Sequence, residues 1–521
     1  MPIPTTNLAS LLLQTARRLP DHPAFIRAGA TRTWRDFAAR VQTAAAGLRA
    51  RGITPGDRIL VHARNSVEMF ETVWAGWLLG AVWVPTNFRL TPIEVAYLAQ
   101  SSRATAHIMD DVFRDHAEAA STANPNAKIH ITIGDGALTW ESLIEEGRGQ
   151  TFEPADVQRD HPCWFFYTSG TTGRPKAAVL THGQMVFVIT NHLADLMPGL
   201  TENDASLVVA PLSHGAGIHA LAQVARGAKS VLLATEKFDA AEAWSLVEQY
   251  RVSNMFTVPT ILTMLSRHPA VDRVDHSSLR HVIYAGSPMY RADQVLALQK
   301  LGPVIVQYFG LGEVTGNITV LPPQWHSIED RPDFPIGSCG YPRTGLDISI
   351  RDGQGKALAT HETGEICVRG NAVFSGYFEN DEANTKAFAD GWFHTGDLGY
   401  LDGRGFLYIT GRASDMYISG GSNVYPKEAE EILLTYPGIL EACIVGIPHE
   451  RWGETGIAVL VTENNHPIAE EFLLAHLDGR ISRYKWPTRF VFWAELPKSG
   501  YGKVPKKDVK ARLEAERESL W

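Results

Sequence analysis

Cysteine is scarce in this chain, and basic charge is not in excess. The 521 residues hold four cysteines, Cys163, Cys339, Cys367 and Cys443. They lie far apart and form no C-x-x-C pair, so their spacing implies neither a zinc site nor a disulfide framework, and a reducing cytoplasm is the simplest location. Lys and Arg number 48 against 57 Asp and Glu, a formal net charge of −9, which leaves no basic footprint for nucleic acid. Long hydrophobic runs are missing too. The longest, Thr72–Val84, is too short to span a bilayer and predicts a buried helix entering a strand. The opening Met1-Pro2-Ile3-Pro4 lacks the basic start of a signal peptide, and Leu8–Leu19 reads as an amphipathic helix. Peripheral membrane contact and a homodimer stay open.

What is present suits a soluble globular protein with a sizeable core: 45% hydrophobic and 20% charged residues over a length that allows roughly three or four structural units. The first part alternates helical and strand patterns. Helices are predicted at Trp34–Gly52, Ser66–Leu79 and Thr91–Gln100, and strands at Arg58–Val61, Ala81–Pro85 and Ala106–Met109. Short apolar strands continue at Ser206–Ala210, Ser230–Leu233, Asn254–Val258, His281–Tyr284 and Val304–Gln307. Such alternation argues for layered α/β structure with a mostly parallel sheet. Beyond about residue 330, Gly, Pro and short alternating strands (Asp347–Arg351, Gly364–Arg369, Gly405–Thr410) predict a small β-rich subdomain. A small α+β unit begins near Arg412, with a helix at Pro426–Thr435 and strands at Glu441–Gly446 and Gly456–Val461. The expected division is 1–411 and 412–521, with the β-rich part at about 330–411.

The densest chemistry is Tyr167-Thr168-Ser169-Gly170-Thr171-Thr172-Gly173-Arg174-Pro175-Lys176, which follows the apolar segment Cys163–Phe166. Glycines let backbone N–H groups turn toward an anion, hydroxyls donate further hydrogen bonds and Lys176 adds charge, which is what a polyphosphate needs from a loop. The loop is not a Walker A, because Arg174-Pro175 separates Gly173 from Lys176, and the proline argues against a helix starting there. A run of Ser, Thr and Gly is by itself also an ordinary solvated turn. Gln307-Tyr308-Phe309-Gly310-Leu311-Gly312-Glu313 follows a predicted strand. An aromatic there can stack on a purine, and a carboxylate can hold Mg²⁺ between phosphates.

The ten-residue loop resembles the phosphate-loop signature of the adenylate-forming superfamily of acyl-CoA synthetases, luciferases and peptide-synthetase adenylation domains. The resemblance covers roughly residues 30–510, with at least five motifs in order. It implies that Thr168, Ser169, Gly170, Thr171, Thr172, Gly173 and Lys176 handle the ATP phosphates. Tyr308-Phe309-Gly310 with Glu313 resembles the family's Y-G-x-T-E motif, with Phe309 for Tyr and Gly312 for Thr; Glu313 is the implied Mg²⁺ ligand. Ala285-Gly286-Ser287-Pro288 resembles the adenine-binding turn. Trp392-Phe393-His394-Thr395-Gly396-Asp397 resembles the ribose-binding W-x-x-T-G-D, with Arg412 as its basic partner. Asp415 matches the pivot of a mobile C-terminal domain, and Gly420-Gly421 match residues beside the pantetheine tunnel. Lys503, in Pro497-Lys498-Ser499-Gly500-Tyr501-Gly502-Lys503, matches the adenylation lysine. Arg89 matches a contact to the 3′-phosphate of CoA.

The implied function is an ATP-dependent acid–CoA ligase that makes acyl-AMP with pyrophosphate release and then moves the acyl group to CoA. The implied fold is a large N-terminal domain of layered α/β subdomains plus a small β-barrel-like subdomain, followed by a small mobile α+β C-terminal domain. His214, Gly215, Gly312 and Val314 fall where the family lines its acyl pocket. The small residues Gly215, Ala216, Gly217, Gly312 and Gly316 predict a roomy, apolar pocket for a fatty or aryl acid, with no arginine assignable there for a second carboxylate. An acyl-AMP ligase loading a separate carrier protein, a luciferase-like oxygenase and a non-catalytic nucleotide-binding protein remain as alternatives.

Overall fold

The computed structural model describes residues 4–168, 174–235, 237–287, 289–419, 422–449, 453–498 and 504–516. Two large sheets form the body. The first runs in the order Lys176–Thr181, Pro162–Thr168, Val82–Pro85, Arg58–His62, Ala106–Asp110, Ile129–Ile133, and is parallel except for its first pair. The second has nine strands, with Ile305–Phe309, His281–Tyr284, Asn254–Thr257, Ala205–Val208, Lys229–Leu232 and Pro23–Arg27 side by side and parallel at its centre. Antiparallel strands close both edges of this sheet. Parallel strands covered on both faces read as near-continuous apolar runs, which is why the alternating pattern was legible.

The apolar segment around residues 72–84 becomes the helix Val67–Leu78 and the strand Val82–Pro85. That helix is buried nearly all round, as expected for one apolar on every face. Ser66 caps it by accepting from the Met69 N–H. Trp74 and Trp77 of this helix, with Trp83 and Trp164, pack edge to face or tilted and join the two sheets' cores. Among the described residues no helix is long and apolar enough to cross a membrane.

The β-rich region is a five-stranded antiparallel sheet of Leu346–Arg351, Gly364–Gly370, Phe388–Ala389, Trp392–Leu401 and Leu407–Arg412. Its last strand lies two residues beyond the predicted Gly405–Thr410. The Asp402 carboxylate accepts from the Arg404 and Phe406 N–H groups, so a turn occupies 402–406 and the strand starts at Leu407. A second five-stranded sheet, of Tyr417–Ser419, Ser422–Val424, Ile439–His449, Gly453–Thr462 and Arg489–Phe492, packs with the helices Pro426–Leu433, Glu470–Leu477 and Lys506–Ala515.

Candidate active site

Four neighbouring strands of the nine-stranded sheet, Ala205–Val208, Asn254–Thr257, His281–Tyr284 and Ile305–Phe309, point the same way. Their carboxyl ends therefore lie on one edge, where open α/β sheets bind ligands. The segments leaving that edge carry His214, Gly286-Ser287 and Gly310–Glu313. The strands Pro162–Thr168 and Lys176–Thr181 form an antiparallel hairpin with Thr168 opposite Lys176. A strand, not a helix, thus follows the phosphate loop. Ser169, Gly170, Thr171, Thr172 and Gly173 lie outside the described residues, as do Pro288, Gly420, Gly421 and Lys503.

The hairpin end and the Glu313 turn meet. Thr168 Oγ1 donates to Glu313 Oε1 at 2.7 Å, and the Tyr377 hydroxyl donates to the same oxygen at 2.9 Å. Lys176 Nζ lies 5.0 Å from the centre of the Tyr377 ring. Burial, then the Glu313 charge, pushes the Tyr377 phenol upward, so it is a neutral donor. The Glu313 carbonyl accepts from the Phe374 N–H at 2.8 Å, and residues 375–378 run beside the hairpin through Ser375–Val179 and Phe378–Ala177 backbone bonds. Tyr377 is the residue that sequence reasoning missed. Its only local signal was Gly376-Tyr377 after a predicted strand, which is too short to read alone.

The aromatic motif divides. Successive strand residues face opposite ways. Tyr308 is buried and stacks on Phe256 with ring centres 5.9 Å apart, so its ring belongs to the core and is not available for a purine. Phe309, half-buried, is the ring at the sheet edge. Gly310 is required sterically: a Cβ there would sit 2.3 Å from the Gly316 carbonyl carbon.

The expected roomy, apolar pocket is corrected. A Cβ on Gly312 would lie 2.5 Å from the Phe166 ring and 2.7 Å from Thr168 Cγ2. On Gly215 it would lie 2.5 Å from the Phe256 ring, and on Gly316 2.6 Å from Tyr308. These small residues seat aromatic rings flush against the backbone and leave no extra volume. Val314 is fully buried in the core. His214 is half-buried, holds Ser213 Oγ at 2.9 Å through Nδ1 and meets the Phe166 ring edge to face at 5.1 Å. Arg343 is fully buried, with its Nε 3.8 Å from Asp195 and its Nη2 3.3 Å from His192 Nδ1.

The strand Trp392–Leu401 puts Asp397 in register with Arg412, whose Nε donates to Asp397 Oδ1 at 3.0 Å. Asp397 is buried and Arg412 exposed. The turn is fastened by Glu365: Oε1 accepts from the Gly396 N–H at 3.0 Å, and Oε2 meets His394 Nδ1 at 2.7 Å. Cys367 Sγ lies 3.5 Å from the same nitrogen. Glu365, Cys367 and His394 thus form a compact trio that the cysteine spacing gave no hint of. Burial pushes the Cys367 thiol up to about 12, so it stays protonated, and the carboxylate is already engaged on both oxygens. The trio is a bracket for the Asp397 turn. Arg89 follows the strand Val82–Pro85; its N–H donates to Asn87 Oδ1 and its guanidinium lies 5.4 Å from the Phe88 ring centre. Asp415 is half-buried, with its N–H on the Arg412 carbonyl.

A buried carboxylate held by the Thr168 and Tyr377 hydroxyls and an Asp–Arg pair on a separate sheet fit an adenylate-forming enzyme. Family models agree: "AMP-binding enzyme" matches residues 12–378 and "AMP-binding enzyme C-terminal domain" matches 428–503. The chain belongs to the AMP-binding enzyme family. It is 35% identical over 511 residues to a feruloyl-CoA synthase from Amycolatopsis sp, covering 97% of this chain and 99% of that one. It is 30% identical over 516 residues to the long-chain-fatty-acid–CoA ligase FadD13 of Mycobacterium tuberculosis (98% and 99% covered). Among solved structures it resembles o-succinylbenzoate CoA synthetase (MenE) from Bacillus subtilis in complex with its acyl-adenylate intermediate. The TM-score is 0.85, with 30% identity and coverage of 97% and 98%.

Proposed function

We propose a division of labour within an ATP-dependent acid–CoA ligase that acts on aryl acids. The chain is an AMP-forming acid–thiol ligase with ATP and CoA as substrates, in keeping with its family and relatives. The observation that carries the site reading is the convergence of the Thr168 and Tyr377 hydroxyls on Glu313, with Lys176 over the Tyr377 ring. The loop 168–173 and Lys176 cradle the triphosphate. Glu313 and the Thr168 hydroxyl are hard oxygen donors at the loop mouth, the kind of set that holds Mg²⁺ together with phosphate oxygens. Bound there, Mg²⁺ would neutralise charge on the phosphates. Phe309 and Gly286-Ser287-Pro288 take the adenine, and Asp397 takes the ribose hydroxyls with Arg412 beside it. Lys503 meets the α-phosphate and the attacking carboxylate. The acid carboxylate displaces pyrophosphate to give acyl-AMP, and the CoA thiol then displaces AMP; no protein nucleophile takes part. The rings of Phe166, His214 and Phe256, closed by Gly312 and Gly215, favour a flat aromatic body over an alkyl chain.

The domain division is 1–411 and 412–521, with Asp415 as the pivot between an adenylating and a thioester-forming pose. Arg89, Gly420 and Gly421 lie along the CoA path. The enzyme works in the cytoplasm. A pair of single-turnover assays tests the scheme. Lys503→Ala loses about 10²-fold or more in acyl-AMP formation, roughly 3 kcal/mol, yet converts supplied acyl-AMP and CoA to thioester at near wild-type rate. A parallel fall of both half-steps in folded protein defeats the two-pose scheme.

A further inference from the structure

Three metal-ligating groups of different kinds meet beside the Asp397 turn: the Glu365 carboxylate, the Cys367 thiol and the His394 imidazole. Their ligand atoms all lie within 4.8 Å of one another. Sheet geometry puts them there. Glu365 and Cys367 are two residues apart on the strand Gly364–Gly370, so both side chains leave the same face. His394, on the strand Trp392–Leu401, is the register partner of Cys367, while Leu398 is the partner of Glu365. The extra chain between His394 and Leu398 bulges, and it carries the Asp397 turn; such bulges re-aim side chains beside functional sites.

The distances suit a tetrahedral ion. Cys367 Sγ lies 3.5 Å from His394 Nδ1, and Glu365 Oε2 lies 2.7 Å from the same nitrogen. An ion with bonds of about 2.3 Å to sulfur and about 2.0 Å to nitrogen and oxygen sets sulfur and nitrogen about 3.5 Å apart, and nitrogen and oxygen about 3.3 Å apart. The first edge is already at its ligated length, and the second has to open by about 0.6 Å. Cys367 is fully buried, whereas the side chains of His394 and Glu365 keep 18% and 30% exposure, which gives an ion a way in and water the fourth position.

The donor set selects the ion. Thiol, imidazole and a single carboxylate suit Zn²⁺, unlike the oxygen donors at Glu313, which suit Mg²⁺. Arg351, the register partner of Glu365, is on the same side; it stacks 4.7 Å from the centre of the Trp392 ring and donates to the Gly355 carbonyl. Thiolate and carboxylate together balance the two charges of the ion. Among the described residues no second cluster of three such groups occurs.

We propose that Glu365, Cys367 and His394 bind a divalent cation of the zinc class, and that its binding loosens the Asp397 turn and weakens nucleotide binding. Without the ion the thiol keeps its proton and the trio braces the turn. On binding, the thiol proton leaves to solvent, and the imidazole proton passes from Nδ1, where it faces the carboxylate, to Nε2. Lone pairs of Sγ, Nδ1 and Oε2 then fill three positions of the ion. Opening the edge between Nδ1 and Oε2 turns the Glu365 carboxylate, whose other oxygen, Oε1, holds the Gly396 N–H at 3.0 Å. Asp397 comes next in the chain, so the ion acts on it through Glu365. The effect on nucleotide rests on the reading of Asp397 as the ribose group; the cation site does not.

The test uses the full chain with Co²⁺ as a coloured stand-in for Zn²⁺. One ion per chain should bind, with the intense visible bands of a four-coordinate ion and a thiolate-to-cobalt band in the near ultraviolet, and Zn²⁺ should erase both. Cys367→Ala should abolish the thiolate band, and His394→Gln should weaken Co²⁺ binding by about 10-fold or more. Calorimetry then measures AMP binding with and without Zn²⁺. Zn²⁺ should raise the AMP Kd of wild type by about fivefold, the scale of one hydrogen bond, and leave that of Cys367→Ala unchanged. A cobalt spectrum that is absent or octahedral, or a thiolate band that survives Cys367→Ala, overturns the site. An AMP Kd indifferent to Zn²⁺, or raised equally in Cys367→Ala, overturns the coupling to the turn. AMP binding indifferent to Asp397→Ala overturns the ribose reading and leaves the cation site standing. Should Cys367→Ala fail to fold, the wild-type spectrum and His394→Gln decide.

Discussion

Glu71 and Arg343 are both fully buried charges, and their surroundings are opposite. The Glu71 carboxylate accepts from Arg32 Nη1 at 2.8 Å, Arg40 Nε at 2.6 Å and Trp140 Nε1 at 2.8 Å. Arg40 extends the network to Glu141. Arg343 has one long contact to an imidazole, a distant carboxylate and two unbonded nitrogens. The first arrangement is closed: each oxygen is bonded, and its role is to hold the helix Trp34–Ala50 to the helices Val67–Leu78 and Trp140–Glu146. The second is incomplete: two of the guanidinium nitrogens carry no hydrogen bond. A satisfied buried ion ties its neighbours together, whereas an ill-paired one costs desolvation that its contacts do not repay.

Acid should have the largest effect. Burial lowers His219 and His281 to about 4 and holds His192, which faces Arg343, well below its ordinary value. The unfolded chain takes up these protons near pH 6.5, so between the two limits it binds more protons than the folded one. The stability these groups confer is complete above pH 6.5 and drains away as pH falls toward 4, by about 2 kcal/mol per histidine from pH 7 to pH 5. Urea unfolding at the two pH values should show a loss of several kcal/mol, reduced in His219→Gln. A flat profile would mean these imidazoles are not held neutral.

Glu71→Ala should destabilise by about 3 kcal/mol, because it strands Arg32 and the Trp140 N–H around an empty anion site. A lower urea midpoint at unchanged slope is the expected reading, and a shift under 1 kcal/mol would dissolve the contrast with Arg343.

A smaller effect is expected at Glu313, a buried carboxylate that, like Glu71, is held by donors from distant parts of the chain. Tyr377→Phe removes one of the two hydroxyls on Glu313. It should cost about 1 kcal/mol, roughly fivefold in adenylation rate, and raise the Mg²⁺ concentration needed for half-maximal rate while leaving the KM for the acid alone. Equal changes in both parameters would assign Tyr377 a packing role only.

The smallest change should come from Arg343→Met. Replacing an ill-paired buried cation by an apolar side chain of similar length should shift stability by no more than about 1 kcal/mol in either direction. A loss as large as that of Glu71→Ala would place Arg343 among the architectural charges.

The sequence by itself determined the order of elements, because buried parallel strands and amphipathic helices announce themselves through apolar runs and spacing. Its short motifs were legible for the same kind of reason, since the Ser/Thr/Gly loop, the Glu313 segment, the Asp397 turn and the Lys503 segment are each written in contiguous residues. Tertiary structure alone decided what touches what across long separations. Tyr377 reaches Glu313 from 64 residues away, and Glu365 fastens the Gly396 turn from 31. It decided that Tyr308 faces the core and that Gly215, Gly312 and Gly316 lie under rings, because side-chain direction in a strand and the space beside a glycine depend on partners that no local pattern names. It also decided that Asn191, Asn317 and Arg343 are buried with polar atoms left unbonded. Each is unremarkable in sequence, because burial and unbonded atoms depend on neighbours from distant parts of the chain.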